Sequence, residues 1–488
     1  MLPSSIVSSS DFTREDIVEF LAGAKAMIPH AIAKSYPNPL QGRVKIISVE
    51  KSTRTVLSSK TAADYLGLAN DVTFINDETS SRGKGESPLD DVEQYALQGT
   101  DVLVIRSNFE GEPRYVAEGL QILGHQIPVI SAGDGENDHP TQMLLDFLTI
   151  EQIKHRIDGL VIGMGGDMRY SRVAHADARG LKHFDVKVVT CSFGGLRLPS
   201  RLQRELNIVE SAEDTLEPLR QCDVIICYRV QRERIADQLA FEEIGRKRQI
   251  TRAFLDRCKK DVILMHPGPI DSTISEIAPD VRRDPRVVIS RQAGFGIPTR
   301  MHALYRARQP FTPINSTPPE RFKFTSSKRL AKEAPKRELL FKAIRRGTVI
   351  DHLPSGSSKF IDGLLIKMGQ YDETMSVAPF RNVRLPEDEK PQKDVILIRD
   401  GFISDFAAAI ITMIAPEAKI NVFPGDGQQY KKEYQPPREL RGLFKCPNTK
   451  NCITNFDHEA ETRFRVTDGK VLCHYCERDF DQSKILTI

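Results

Sequence analysis

The sequence predicts an α/β protein with two parallel-sheet α/β domains, followed by a small α+β domain and a zinc-binding type of cysteine module. Three observations support this class. Short apolar segments alternate with helical segments over residues 1–308, which is typical of parallel sheets with crossover helices. A segment rich in Pro, Ser and Lys follows. Two close pairs of cysteines lie near the C-terminus.

The length of 488 residues requires more than one hydrophobic core. We expect two parallel-sheet domains over 1–150 and 151–308, a linker over 309–337, an α+β domain over 338–438 and the cysteine module over 439–488.

The composition excludes several classes of protein. Hydrophobic residues make up 40% and charged residues 28%, and the net charge is only +3, so electrostatics gives no case for binding nucleic acid or membranes. The N-terminal residues lack the pattern of a secretory signal. Eight cysteines are too few for a disulfide framework in a chain of this length. We therefore expect a cytoplasmic protein with no nucleic acid and no membrane partner.

The first domain is predicted from one helix and four strands. Thr13 and Asp16 have the spacing of a capping box, and apolar residues then recur at helical spacing, which predicts a helix over Thr13–Ile28. The apolar segments that follow have the length of buried strands. They are Val44–Val49, Val72–Ile75, Val102–Ile105 and Ile127–Ser131.

The second domain repeats this alternation after a predicted helix over Pro140–His155. Its predicted strands are Leu160–Met164, Val186–Thr190, Val224–Cys227, Val262–Met265 and Val287–Ser290. After the linker, the sequence predicts strands over Thr348–His352 and Lys393–Arg399 and a helix over Phe406–Ile414.

Polar residues with the chemistry of a phosphate site follow the first strand. The segment after Val44–Val49 leads into a helix and reads Ser52-Thr53-Arg54-Thr55. Free N–H groups and the positive end of a helix dipole bind phosphate at such a position, and Arg54 adds a bidentate cation. A capped helix with a surface arginine is the alternative that four residues leave open.

Two further side chains are predicted at the same edge of the sheet. His139 precedes a helix start at Pro140, and Arg106 follows the strand Val102–Ile105. Ligands of open parallel sheets bind beyond the carboxyl ends of the strands, where a histidine can donate a hydrogen bond to a carbonyl oxygen. An ordinary helix start and a solvated loop arginine are the competing interpretations.

The C-terminal cysteines have the spacing of a metal site. Cys446 and Cys452 form one pair, and Cys473 and Cys476 form the other. Two such pairs suit tetrahedral Zn²⁺, because each pair forms one edge of the tetrahedron. A redox-active pair is the alternative, and the presence of the second pair weighs against it. Four thiolates would make a closed structural site whose metal folds the module.

These motifs together resemble the carbamoyltransferase family. Ser-Thr-Arg-Thr at 52–55 precedes His-Pro-Thr-Gln at 139–142. Arg-Val-Gln-Arg-Glu-Arg at 229–234 and His-Pro-Gly-Pro at 266–269 are similar to the aspartate carbamoyltransferases rather than to the ornithine enzymes. The resemblance covers essentially residues 1–310. It implies transfer of the carbamoyl group of carbamoyl phosphate to L-aspartate, a step of pyrimidine biosynthesis.

The resemblance implies a role for each matching residue. The catalytic set would be Arg54, Thr55, Lys84, Arg106, His139 and Gln142. The substrates would also contact Ser52, Thr53, Arg172, Arg229, Gln231, Pro267 and Gly268. Domain closure would involve Glu50 and Arg234 together with Arg172. Lys84 would reach into a neighbouring subunit's site, which implies a trimer or a dimer of trimers, and catalysis would need no cofactor.

The C-terminal part resembles the regulatory chain of aspartate carbamoyltransferase. Arg-Gly-Thr-Val-Ile-Asp-His at 346–352 and the cysteine spacing carry this resemblance over about residues 338–488. It implies a fused allosteric region in which nucleotide effectors would contact Asp351, His352 and Lys432, and in which structural Zn²⁺ would bind the four cysteines. Leu397 stands where the family has a lysine near the ribose.

Two departures from the family pattern leave other functions open. Val56 follows the phosphate motif and Ile270 follows His-Pro-Gly-Pro, where the family usually has arginine in each place. One alternative is a carbamoyltransferase with another amino acceptor, although Arg229 and Gln231 favour a dicarboxylate. The other is a weakened homologue that serves as a scaffold or nucleotide sensor.

Overall fold

A computed structural model describes residues 3–49, 53–75, 82–231, 248–270, 276–314, 324–329, 344–372, 374–383, 392–467 and 469–485. The chain forms two compact units. One comprises Met1–Ser316 with Lys450–Glu459, and the other comprises Thr317–Thr449 with Ala460–Ile488. No helix in the described part of the chain is both long enough and apolar enough to cross a membrane.

The first domain contains a parallel four-stranded sheet, as predicted. Its strands are β1 (Arg43–Ser48), β2 (Ala69–Phe74), β3 (Val102–Ser107) and β4 (Val129–Asp134), in the order β2-β1-β3-β4. The helices of this part are α1 (Arg14–Ala26), α2 (Ile28–Ala33), α3 (Thr53–Leu66), α4 (Pro88–Leu97), α5 (Glu112–Ile122) and α6 (Pro140–Lys154). The predicted capping box of α1 is present between Thr13 and Asp16.

The second domain contains a parallel five-stranded sheet. Its strands are β5 (Val161–Gly166), β6 (Lys187–Ser192), β7 (Ile208–Glu213), β8 (Val224–Tyr228) and β9 (Ile263–Met265), in the order β7-β6-β5-β8-β9. Its helices are α7 (Arg172–Leu181), α8 (Ser200–Glu205), α9 (Arg252–Leu255) and α10 (Ile289–Ala307). Helix α10 returns to pack on α3 and α6 of the first domain, and Phe147 and Met301 lie in the core that both domains share.

The predicted strand over Val287–Ser290 is wrong. Val287 makes only an isolated parallel bridge to Leu264, and α10 begins at Ile289. The run of β-branched residues suits a strand locally, but the helix buries Met301 and Leu304 against the shared core, and this packing overrides the local preference. Strand β7 was not predicted, because it lies at the edge of its sheet and is largely exposed.

The second compact unit contains an antiparallel six-stranded sheet. The strands are β10 (Phe324–Arg329), β11 (Gly347–Pro354), β12 (Ser376–Val383), β13 (Lys393–Arg399), β14 (Lys419–Phe423) and β15 (Tyr430–Tyr434), in the order β10-β15-β14-β11-β13-β12. The helices α11 (Ser358–Lys367) and α12 (Asp405–Ile414) pack on it. Strand β10 lies within the segment predicted to be a linker. Its polar sequence shows no apolar alternation, because an edge strand is held mainly by its backbone pairing with β15.

The cysteine module contains a second antiparallel sheet. Its strands are β16 (Glu439–Arg441), β17 (Arg463–Thr467), β18 (Lys470–Cys473) and β19 (Asp479–Asp481), and the chain ends in the short helix α13 (Gln482–Ile485). The predicted architecture, two parallel-sheet α/β domains followed by a small α+β domain and a cysteine-bearing domain, is confirmed.

Candidate active site and metal centre

The phosphate motif lies at the start of α3, as predicted. Thr53 begins this helix, while the side chain of Thr53 and all of Ser52 lie outside the described residues. The side chain of Arg54 is exposed at the site, yet partial desolvation lowers its pKa. An arginine with a lowered pKa is still a cation at neutral pH, so α3 presents a positive charge together with the positive end of its dipole.

His139, Thr55 and Arg106 converge at the carboxyl edge of the first sheet. The hydroxyl Oγ1 of Thr55 lies 3.5 Å from Nε2 of His139. Arg106 donates through Nη1 to the carbonyl oxygen of Ala132, at 2.7 Å. All three side chains are buried. The structure therefore brings together three donors that the sequence placed at this edge.

The imidazole of His139 is held in its neutral form. Burial lowers its pKa well below the usual 6.5, and the charges of Arg106, Arg300 and Arg172 add to this effect. The ring nitrogen Nδ1 has no hydrogen-bond partner among the described residues. A neutral imidazole carries one N–H donor, so His139 can donate a hydrogen bond to a ligand without taking up a proton from solvent.

Gly133 lets these side chains approach one another, and no role was predicted for it from the sequence. Its φ is +103°, and a Cβ built on it would lie 2.4 Å from Nη1 of Arg106, 3.1 Å from Cδ of Arg172 and 3.2 Å from Cδ2 of His139. A residue with a side chain would displace at least one of them. Gly133 therefore sits beneath the point where the cations of both domains meet.

The second domain contributes the predicted aspartate-binding segments. Arg172 begins α7, and Arg229 follows β8. Gln231 donates through Nε2 to the carbonyl oxygen of Tyr170, at 2.9 Å. Asp167 accepts from the backbone N–H groups of Arg169 and Tyr170, each at 3.0 Å. The Asp167 bonds shape the loop after β5, and the Gln231 bond joins that loop to the loop after β8, at the edge where ligands of parallel sheets bind.

Pro267 and Gly268 follow β9 and face the first domain. Gly268 has a φ of +73°, and a Cβ on it would lie 1.9 Å from Nη1 of Arg54. The N–H of Gly268 donates to Nδ1 of His266 at 2.8 Å, and the fully buried Glu276 lies 3.8 Å from the other ring nitrogen. The His-Pro-Gly-Pro turn thus meets the phosphate motif across the cleft.

The structure does not describe every predicted site residue. Glu50 and Arg234 lie outside the described residues. Lys84 ends a short 3₁₀ helix, is exposed, and forms no ion pair with another described residue.

The four C-terminal cysteines form a compact cluster. Cys446, Cys452, Cys473 and Cys476 are all buried, and their sulfur atoms lie within 4.8 Å of one another. The sulfur atoms of Cys446 and Cys476 lie 3.7 Å apart. Four buried thiols at this spacing can surround one metal ion.

The predicted nucleotide residues are only partly brought together. Asp351 and His352 are adjacent on β11, and Nζ of Lys393 lies 2.9 Å from Oδ1 of Asp351. Burial lowers the pKa of His352, with Lys393 and Lys419 adding to this effect. Lys432 instead pairs with Asp405 at 3.3 Å. Leu397 is buried in an apolar cluster on β13, so it supplies no cation.

Comparisons with known proteins match four successive segments of the chain. Residues 4–152 match the carbamoyl-phosphate-binding domain of aspartate/ornithine carbamoyltransferases, and residues 158–306 match their aspartate/ornithine-binding domain. Residues 339–434 match the allosteric domain of the aspartate carbamoyltransferase regulatory chain, and residues 438–486 match its metal-binding domain.

Individual relatives agree with these matches. The aspartate carbamoyltransferase catalytic subunit of Thermoplasma volcanium is 35% identical over 306 residues, which is 62% of this chain and 97% of the relative. The catalytic subunit from Thermococcus onnurineus is 36% identical over 307 residues, covering 61% of this chain and 95% of that subunit.

Solved structures give the same result. The catalytic subunit of M. jannaschii aspartate transcarbamoylase is 33% identical with a TM-score of 0.55, covering 62% of this chain and 97% of that one. The Trypanosoma cruzi enzyme in complex with carbamoyl phosphate and aspartate is 31% identical with a TM-score of 0.54, covering 62% and 96%. The chain belongs to the aspartate carbamoyltransferase family and carries the regulatory-chain domains of that family on the same polypeptide.

Proposed function

We propose that this chain transfers the carbamoyl group of carbamoyl phosphate to the amine of L-aspartate at the cluster around Gly133. The observation that carries the assignment is the convergence of Thr55, Arg106 and His139 at one sheet edge, opposite Arg172 of the second domain. The relatives support the reaction, since the Trypanosoma cruzi structure is of a complex with carbamoyl phosphate and aspartate.

The proposed roles follow from the chemistry of the step. The amine of aspartate attacks the carbonyl carbon and forms a C–N bond, which gives a tetrahedral oxyanion. Thr55, Arg106 and neutral His139 donate hydrogen bonds to that oxygen, and donors fixed in advance stabilise charge as it develops. The C–O bond to phosphate then breaks, and the phosphate takes the proton of the amine. N-carbamoyl-L-aspartate and phosphate are the products.

The two substrates are assigned to opposite sides of the cluster. The N-terminus of α3, with Ser52, Thr53, Arg54 and Thr55, binds the phosphate group, since a helix start with an arginine suits an anion. Gln142 accepts a hydrogen bond from the carbamoyl NH2. Arg172, Arg229, Gln231 and the turn at Pro267 and Gly268 bind aspartate, whose two carboxylates require cations and donors. Glu50 and Arg234 join Arg172 in closing the domains.

Lys84 is assigned to the site of a neighbouring subunit. Lys84 is exposed and forms no ion pair with another described residue. These two features support the assignment, because they leave the ammonium group available to a ligand bound in a neighbouring subunit. A site shared in this way requires an oligomer, and the family resemblance supports a catalytic trimer or a pair of trimers.

The C-terminal half is assigned a structural and regulatory role. The four buried cysteines would bind Zn²⁺, since a tetrathiolate set is typical of structural zinc. The allosteric-domain match supports nucleotide effectors at Asp351, His352 and Lys432. The buried Leu397 removes one cation from that site, so we expect weaker binding of nucleotide triphosphates than a second lysine would give.

The reaction is tested by its product and by the choice of acceptor. Carbamoyl phosphate with L-aspartate should give N-carbamoyl-L-aspartate by mass spectrometry, and L-ornithine should give none. Arg229→Ala should raise the KM for aspartate, whereas Arg220→Ala, an exposed arginine of the same domain, should not. Turnover of ornithine but not aspartate would indicate another acceptor, and no turnover of any amine would support a scaffold or sensor.

A further inference from the structure

A buried carboxylate lies directly behind the predicted carbamoyl contact. Asp146 is fully buried in the middle of α6, one turn after Gln142. Its Oδ1 accepts a hydrogen bond from Nε2 of Gln142 at 3.0 Å. Residues four apart lie on the same face of a helix, so this contact follows from the helix itself.

The contact fixes which end of the Gln142 amide faces the substrate. An amide has a donor NH2 and an acceptor oxygen. Because Oδ1 of Asp146 accepts, the NH2 of Gln142 is directed toward Asp146. The opposite end, Oε1, is therefore turned away from Asp146. The amide oxygen is the group that can accept a hydrogen bond from a carbamoyl NH2. If the amide were turned the other way, its NH2 would face the carbamoyl NH2, and neither group could accept.

The same carboxylate oxygen reaches the second domain through α10. Oδ1 of Asp146 also accepts from Nε2 of Gln292, at 2.6 Å. Oε1 of Gln292 accepts from the backbone N–H of His266, at 2.9 Å, and Nδ1 of His266 accepts from the N–H of Gly268. Gly268 is the residue that lies against Arg54. One chain of hydrogen bonds thus connects Gln142 with the turn on the opposite side of the cleft.

The Oδ1 atom of Asp146 can accept hydrogen bonds whether or not the carboxyl group is protonated. Burial raises its pKa to about 7, while hydrogen bonds from Gln292 and Gln142 and the charge of Arg300 oppose the rise. Its second oxygen, Oδ2, has no hydrogen-bond partner among the described residues. A proton taken up by the carboxyl can therefore reside on Oδ2, which leaves Oδ1 to accept from both glutamines in either state.

We propose that Asp146 is a positioning residue for carbamoyl transfer, which orients the amide of Gln142 toward the carbamoyl NH2 and, through Gln292, holds the His266–Gly268 turn. The inference rests on the proposed function, since it takes Gln142 to contact the carbamoyl group. Asp146 itself does not need to touch a substrate.

If Asp146 orients Gln142, it should help the enzyme to distinguish carbamoyl phosphate from acetyl phosphate. Acetyl phosphate has a methyl group where carbamoyl phosphate has NH2, so it cannot donate to Gln142. The ratio of the inhibition constant of acetyl phosphate to the KM of carbamoyl phosphate therefore measures the contribution of the Gln142 oxygen. Losing one buried hydrogen bond of this kind should lower that ratio about tenfold.

The test compares four variants of the full chain, each checked for folding by circular dichroism and thermal melting. Gln142→Ala should lower the ratio and set the full size of the effect. Asp146→Leu removes the acceptor and should lower the ratio nearly as far. Asp146→Asn keeps an acceptor oxygen and should restore most of it. Asp177→Leu is the matched control, since Asp177 is an equally buried carboxylate that bonds Tyr228 instead, and it should leave the ratio unchanged.

The results distinguish a wrong assignment of Gln142 from a wrong role for Asp146. An unchanged ratio in Gln142→Ala would overturn the assigned contact of Gln142 itself. A lowered ratio in Gln142→Ala with an unchanged ratio in Asp146→Leu would overturn the role of Asp146 alone. Should Asp146→Leu fail to fold, Asp146→Ala makes the same comparison. Gln292→Leu provides the second arm, and it should raise the KM for aspartate while leaving the ratio unchanged.

Discussion

Gly268 lies against the guanidinium of Arg54, so closely that a Cβ at position 268 would come within 1.9 Å of Nη1. Gly268 belongs to the turn after β9 and Arg54 to the first turn of α3. The two domains therefore meet where the phosphate and aspartate motifs were expected to act. A φ of +73° at Gly268 further favours glycine.

Gly268→Ala should lower kcat/KM for carbamoyl phosphate by about 100-fold, because displacing Arg54 by about an ångström misplaces the phosphate. Steady-state kinetics with carbamoyl phosphate as the varied substrate measures this effect. Gly195→Ala is the matched control, since Gly195 has a φ of +75° and nothing within 4 Å of a built Cβ. Equal losses in the two variants would assign the effect to backbone strain and not to Arg54.

Gly133→Ala should lower kcat by about 100-fold, because its Cβ would press on Arg106, Arg172 and His139 together. Gly124→Ala has a similarly positive φ of +88° with open space around it and should leave kcat within about twofold of wild type. A Gly133→Ala enzyme with normal kcat would contradict the placement of the oxyanion donors around this residue.

The His139 imidazole should remain neutral at about pH 6, because burial and three arginines hold its pKa well below 6.5. Nitrogen chemical shifts of ¹⁵N-labelled histidine report the protonation state, and the His139→Gln variant identifies the signal. The neutral form exists above the lowered pKa. We therefore expect no loss of kcat from His139 as the pH rises from about 6 to about 7.5, and a protonation step near 6.5 in this signal would contradict the assignment.

The cysteine cluster should hold one zinc ion per chain, measured by inductively coupled plasma mass spectrometry. Cys473→Ser should lose the metal and unfold the module, because about fifty residues contain too little core to fold without it. Cys258→Ser removes a half-buried thiol of the catalytic unit and should keep the zinc. Retention of stoichiometric zinc in Cys473→Ser would show that the metal binds elsewhere.

Lys84 can be tested by mixing inactive variants. Chains carrying Lys84→Ala should regain activity when dissociated and reassembled with chains carrying Arg54→Ala, since one hybrid site then contains both residues. Chains carrying Arg54→Ala and His139→Ala, which lie in the same chain's cluster, should not complement each other. Absence of recovery in the first mixture, with assembly verified by ultracentrifugation, would place Lys84 in the site of its own chain.

The sequence predicted the parts of the site that follow strand ends, because a strand and the residue after it can be recognised locally. Arg106 and His139 were found in this way, whereas Arg229 was identified only through the family resemblance of its motif. Asp146 and Gln292 were not found, since their roles depend on how α10 returns across both domains. The role of Gly133 was missed because it depends on the approach of Arg172 from the second domain. No local pattern indicates that a glutamine near residue 290 bonds a carboxylate near 146.

Most of the fold was predictable for the same reason. The prediction failed where tertiary packing or an edge position decided the structure. The Val287–Ser290 segment has strand chemistry but leads into α10. Strands β7 and β10 lie at the edges of their sheets, where exposed and polar residues are tolerated. Their sequences therefore lack the apolar signal on which the prediction of buried strands depends.

The most direct test of the central claim is production of N-carbamoyl-L-aspartate by the wild type, by Arg54→Ala and by Lys60→Ala. Lys60 is an exposed cation on the same helix as Arg54 and pairs with Asp64. We expect wild type and Lys60→Ala to turn over alike, while Arg54→Ala loses at least about 100-fold in kcat with its fold intact. Equal turnover in all three, or none in the wild type with zinc bound, would contradict the assignment of carbamoyl transfer to this site.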